Sequence, residues 1–164
     1  MERRWLAVTK VATRFKPLAV NILAQGDENA VHWFLEDKTG VRSSHYLEDA
    51  ATEIQVQGLE LDYTCLLWDA DMRYENGEWH FYRFNGQTKW VEQTPTSESK
   101  QDLIKYMLNA YRVLLTRARA GMVICVPAGN ANKNPSGFWE DSTRLPEYYD
   151  GTYQYLKSLG IEEI

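Results

Sequence analysis

Between Leu103 and Val126 the chain changes its hydrophobic period. Leu103, Tyr106, Ala110 and Leu114, with Met107, Tyr111 and Leu115, recur at spacings of three and four, which predicts a helix. The turn-like stretch Thr94–Ser99 supplies its cap. Gly121 fits the helix C-cap, where a left-handed conformation costs glycine nothing. Met122–Val126 is wholly apolar and closed by Pro127, the pattern of a strand buried on both faces of a parallel sheet. Arg112, Arg117 and Arg119 are expected to project from the helical stretch. Rigidly held guanidinium groups suit phosphate recognition. Near a helix C-terminus they also complement the macrodipole and cover apolar surface with their stems.

Upstream, Trp5–Val8 predicts a first strand, and Ala12, Phe15, Leu18, Ala19 and Ile22 a helix from Thr9 to about Leu23, interrupted by Pro17. Gln25–Asn29 reads as a polar loop and Ala30–Leu35 as a second buried strand. Ser43 and Ser44 are candidate caps for a helix at about Tyr46–Glu53. Ile54 and Val56 alternate with polar residues as a strand or turn, Gly58 breaks the pattern, and Tyr63–Trp68 reads as a core strand. Asn76-Gly77 between Met72–Tyr74 and Trp79–Phe84 marks a hairpin, expected on the edge of the main sheet within an insertion at about 71–95. Pro127–Arg144 is a loop, and Pro146–Leu159 a final helix with Tyr149, Tyr153 and Leu156 on one face. Helices alternating with buried strands give an α/β class with a mostly parallel sheet.

With 164 residues, the chain is expected to form a single domain over 1–164. A net charge of −5 argues against a general nucleic-acid coating surface but leaves room for a local basic cleft. No apolar run approaches the length of a membrane span, and the amino terminus lacks the apolar core of a secretory signal. Cys65 and Cys125 lie in apolar runs and read as buried thiols of a reducing compartment, a disulfide between neighbouring strands being the alternative. The expected location is cytoplasmic.

The strongest local chemistry is Gln57-Gly58-Leu59-Glu60-Leu61-Asp62, a polar turn leading into a core strand, whose glycine lets a ligand approach the main chain. Asp69 and Asp71 lack a third ligand and fit a solvated loop better than a magnesium site. His32, His45 and His80 are scattered, and no metal site is expected. The aromatic residues between 74 and 90 fit a small satellite core, with base stacking as the other use of such rings.

Taken together, QGLELD before one strand and YRVLLTRAR before another resemble motifs V and VI of UvrD-like superfamily 1 helicases, which contain a GLEFD-like run and a stretch close to YVALTRAR. Their order and the intervening insertion are most similar to the carboxyl-terminal half of the Schlafen group 3-like DNA/RNA helicase domain. VTKVATRFKPL at the motif IV position, HWFL, VRSSHYLEDAATE and YDGTYQYLKSLGI agree with it. Leu61 stands where the family more often has Phe, a conservative difference.

The resemblance implies a second RecA-like lobe of a P-loop ATPase, which closes over ATP held by a first lobe. It implies that Arg117 is the catalytic arginine and that Arg14, Gly58 and Glu60 contact the nucleotide. Thr52 and Gln57 fall where relatives link nucleotide to nucleic acid, and Arg112 and Arg119 where structural or interlobe residues fall. None of the ten glycines is followed by lysine, so the phosphate-loop pattern is missing from these residues. ATP and Mg are therefore expected only in a complete two-lobe enzyme. The expected partners are an amino-terminal RecA-like lobe, in cis or in trans, and DNA or RNA, with no membrane. The alternative is a non-catalytic protein- or nucleic-acid-binding module that retains the lobe shape.

Overall fold

A computed structural model describes residues 5–9, 21–23, 27–37, 39–46, 49–86, 89–138 and 140–164. The chain divides into two compact units, one formed by residues 1–68 and 109–125, the other by 69–108 and 126–164.

The first unit is built on an all-parallel sheet of β1 (Trp5–Thr9), β2 (Asn21–Ile22), β3 (Asp49–Thr52), β4 (Leu61–Leu67) and β8 (Ala118–Cys125). Their order across the sheet is β2-β3-β1-β4-β8. In the register, Ala7 lies opposite Ala50 and Cys65, and Leu66 opposite Ile124. Parallel neighbours require crossovers, so this sheet and its helices make the chain α/β.

Several elements differ from the sequence expectation. Ala30–Leu35 belongs to a helix, α1 (Asp27–Leu35), which also takes in part of the expected polar loop. A six-residue apolar run does not distinguish a strand from a half-buried helix by period alone. Here only one side is covered: Trp33 is buried, whereas Val31 and Leu35 are exposed. His32 meets Glu36 one turn later, a pairing that a helix provides. Asn21–Ile22, expected to end a helix, pairs with β3; residues 10–20, where the rest of that helix is expected and where Arg14 falls, lie outside the described residues.

Downstream, the expected helix at 46–53 is a 3-10 turn (Ser44–Tyr46) followed by β3. Ala50 and Ala51 are both fully buried, so sheet packing on two faces overrides the helical preference of alanine. Ser43 does cap, but it caps the short turn, accepting the His45 N–H at 3.3 Å.

Helix α2 (Glu98–Leu115) forms as its period predicts, with Met107, Ala110, Tyr111 and Leu114 buried along one stripe. It ends at Thr116 rather than Gly121: the Thr116 hydroxyl donates to the Arg112 carbonyl at 2.7 Å, satisfying one of the last free acceptors. Gly121 lies inside β8 opposite Tyr63, where a Cβ would stand 3.0 Å from the tyrosine ring. β8 is the edge of the sheet, not its centre, and Met122–Ile124 are only half-buried. Arg117 and Arg119 consequently leave the helix: Arg117 sits in the connection and Arg119 in β8.

In the second unit, β5 (Met72–Glu75), β6 (Glu78–Phe84) and β7 (Trp90–Glu92) form their own antiparallel sheet, separate in hydrogen bonding from the five-stranded one. Asn76 and Gly77, with φ of 52° and 90°, make the tight turn that the Asn-Gly pair predicts. Helix α3 (Glu147–Ser158) packs on β5. Tyr74 stacks on Tyr155 at 4.0 Å between ring centres, and Trp79 meets Tyr155 edge-on at 5.2 Å. These rings pack against one another, each of them half-buried.

Candidate functional site

The polar turn before β4 is fixed at its start by a reciprocal cap. Gln55 Oε1 accepts the Thr52 N–H at 2.9 Å and the Thr52 hydroxyl at 3.2 Å, while Thr52 Oγ1 accepts the Gln55 N–H at 3.4 Å. This is the T-x-x-Q form of a capping box, with two backbone donors satisfied by two side chains. The main chain then winds once, Val56 N–H donating to the Thr52 carbonyl and Leu59 N–H to the Val56 carbonyl, each at 3.1 Å. The alternation at Ile54 and Val56 thus resolves as a turn. Val56 is fully buried beneath it, and Ile54 is exposed. Gln57 and Gly58 stand at its outer surface. Gly58 has φ +84° and open space where a Cβ would point, so backbone strain and not crowding reserves this position for glycine.

Arg117 closes the arrangement from the other stretch. Its guanidinium donates to the Leu59 carbonyl at 3.1 Å, and its own carbonyl accepts the Leu61 N–H at 3.2 Å. One residue therefore grips the turn through side chain and main chain at once. The Arg117 Nε–H is buried and has no hydrogen-bond partner among the described residues. The residue as a whole is part-buried, and its Nε–H keeps the capacity for one further acceptor. Glu60 and Arg119 approach to 3.3 Å, but both are largely exposed, so their attraction is screened and weak.

The structure thus gathers Gln57, Gly58, Glu60 and Arg117 around one turn and places Thr52 at its start. Arg14 lies outside the described residues. Arg112, on the last turn of α2, donates to Asn109 Oδ1 at 3.3 Å. Sequence reasoning missed Gln55 and the Leu59 carbonyl. The first had a signal, the T-x-x-Q spacing; a main-chain acceptor has none.

Elsewhere, Asp69 and Asp71 are both buried, which corrects the expected solvated loop. Asp69 Oδ1 accepts the Ala70 N–H at 2.7 Å and the Tyr149 hydroxyl at 3.1 Å, so that carboxylate ties the start of the second unit to α3. Arg73, also buried, lies between the rings of Tyr82 and Tyr148, each 3.8 Å from its guanidinium carbon, and donates to the Ala70 carbonyl at 2.7 Å. Burial lowers the Arg73 pKa, opposed by Glu75. Cys65 is half-buried and Cys125 exposed, and both are free thiols. Partial desolvation by the surrounding protein raises both pKa values, an effect more plainly expected for the half-buried Cys65, and disfavours the thiolate a nucleophile needs. Among the described residues no group of three or more metal-binding side chains occurs, and no helix is long and apolar enough to cross a membrane.

The turn and the arginine that grips it fall within a longer match. The model of the Schlafen group 3 DNA/RNA helicase domain matches residues 4–128. The chain belongs to this family. No curated protein and no solved structure matches it. The matched span of this Schlafen group 3 domain contains every strand of the five-stranded sheet, the antiparallel sheet and α2, whereas α3 lies beyond it.

Proposed function

We propose that this chain is the nucleotide-closing second lobe of an ATP-dependent nucleic-acid helicase or translocase, with a RecA-like role, acting with a first lobe that carries the phosphate loop. The observation that carries this reading is Arg117 bound to the Leu59 carbonyl between Gly58 and Glu60, with its Nε–H unpaired among the described residues. In this role Arg117 meets the charge that develops on the transferred phosphoryl group. Glu60 and Gly58 shape the edge of the nucleotide site, Arg14 supplies a second phosphate contact, and Thr52 and Gln57 face the nucleic acid. The magnesium ligands and phosphate-binding lysine belong to the first lobe. Water attacks the terminal phosphate of ATP, ADP leaves, and the resulting closing and opening of the lobes moves the strand.

The test is kinetic. In the assembled two-lobe enzyme, Arg117→Ala should lower turnover by about 10³-fold or more, the scale of catalytic arginines in phosphoryl transfer, while ATP binding survives. Unchanged turnover removes the assignment. A second reading, a non-catalytic binding module, draws on the same bond, because an arginine donating to a main-chain carbonyl of its own unit also has a purely structural use. It predicts nucleic-acid or protein binding with no ATPase activity alongside any phosphate-loop lobe.

A further inference from the structure

We infer that Gln55 is a positioning residue that holds the turn 52–60 to the end of β2, so that nucleotide and nucleic-acid contacts move as one body; the inference rests on the second-lobe reading above. Three donors and acceptors converge on this one amide. Its oxygen takes both the N–H and the hydroxyl of Thr52, and its Nε2 donates to the Leu23 carbonyl at 3.1 Å, across 32 positions of sequence. The orientation of the amide is decided by chemistry: a backbone N–H only donates and a carbonyl only accepts.

The two halves of the amide do different work. The oxygen closes the capping box and is a local device. The nitrogen reaches out of the turn to Leu23, which is buried and whose own N–H donates to the Ala50 carbonyl at 3.1 Å. A local cap needs only the oxygen, and glutamate serves the box equally well. The Nε2 bond to Leu23 is therefore surplus to capping. It seats the turn bearing Thr52, Gln57, Gly58 and Glu60 against the end of β2. Gly58 and Glu60 are assigned to the nucleotide and Thr52 and Gln57 to the strand of nucleic acid, so this one side chain fixes both sets of contacts against the sheet.

One substitution separates cap from tether. Gln55→Glu keeps an acceptor for Thr52 but sets a carboxylate oxygen against the Leu23 carbonyl. Hydrogen exchange on the chain itself gives the first readout. Gln55→Glu should speed exchange of the Leu23 amide together with those of Val56 and Leu59; an unchanged Leu23 amide overturns the tether. The second readout is steady-state ATPase of the assembled enzyme with oligothymidylate and oligouridylate as probes. Gln55→Glu should raise both the KM for ATP and the half-saturating oligonucleotide concentration by about fivefold, the scale of one hydrogen bond in a binding constant. A merely structural role lowers the active fraction, hence kcat, and leaves both half-saturation values at wild type; that result, or a rise in one value alone, overturns the inference. Arg117→Ala in the same assay distinguishes the failures. If it abolishes turnover while Gln55→Glu shifts nothing, the tether is wrong and the lobe stands; if it changes nothing, the lobe reading falls and this inference with it.

Discussion

At Gly151 two residue-level effects oppose each other, and their magnitudes decide the outcome. The position is inside α3, where alanine is favoured over glycine by about 1 kcal/mol on helix propensity. A Cβ there would collide with the Tyr74 carbonyl oxygen, a main-chain atom that the Tyr74 N–H bond to Thr152 Oγ1, at 3.1 Å, helps to hold. Overpacking of this kind costs about 1–3 kcal/mol or more, so it outweighs the propensity gain. Gly151→Ala should therefore destabilise the second unit despite improving the isolated helix, measured as a lower urea midpoint; a raised midpoint would show that α3 shifts freely on β5. Gly58 presents the converse case. Nothing crowds it, and its φ of +84° alone makes the requirement. The sequence reveals a glycine in both places, but not which of the two reasons applies.

At the level of elements, legibility followed the amount of local information. The Asn76-Gly77 turn, the alternation of β4 and the three-and-four spacing of α2 are local, and each formed, although α2 stops at Leu115, short of the expected cap at Gly121. The identity of α1 and β3 is set by their neighbours and does not show in the local pattern. A strand of two buried alanines is explained only by the strands on either side of it. The small antiparallel sheet also carries a pH dependence. His80, on β6, meets Glu92 of β7 at 2.8 Å, and this hydrogen bond raises the His80 pKa, with Glu75 and Glu78 adding to it against partial burial. A raised folded-state pKa means that the stabilisation is fully present below the unfolded value of about 6.5 and is lost as pH rises through the folded value. The sheet should thus be more stable at mildly acidic than at alkaline pH, by at most about 1 kcal/mol for a partly exposed pair. Urea titrations on the two sides of neutrality check this, and His80→Gln should remove the difference. A difference that persists in His80→Gln would assign it to another group.

For the whole molecule, the candidate site was legible as a pair of stretches and illegible as a geometry. QGLELD and YRVLLTRAR stand far apart in sequence, and pairing of β4 with β8 brings Arg117 onto Leu59. The family match stops at 128, yet the second unit draws its closing helix from beyond that point. Tyr148 covers one face of the buried Arg73, the Tyr149 hydroxyl bonds Asp69, Tyr155 stacks on Tyr74, and the Trp90 indole N–H donates to the Thr143 carbonyl at 2.9 Å. Without these partners a buried guanidinium and a buried carboxylate each lose hydrogen bonds or ring contacts that offset their desolvation. A sheet this small draws its stability from a covered apolar face, which α3 provides by packing on β5. A chain cut after residue 128 should consequently lose amide protection across Met72–Glu92, with tryptophan fluorescence shifted to the red as Trp79 and Trp90 meet solvent. If protection across β5–β7 survives the cut, the sheet carries its own stability and α3 is an addition to it; if it is lost, the folding unit extends past the boundary that the family match alone would draw.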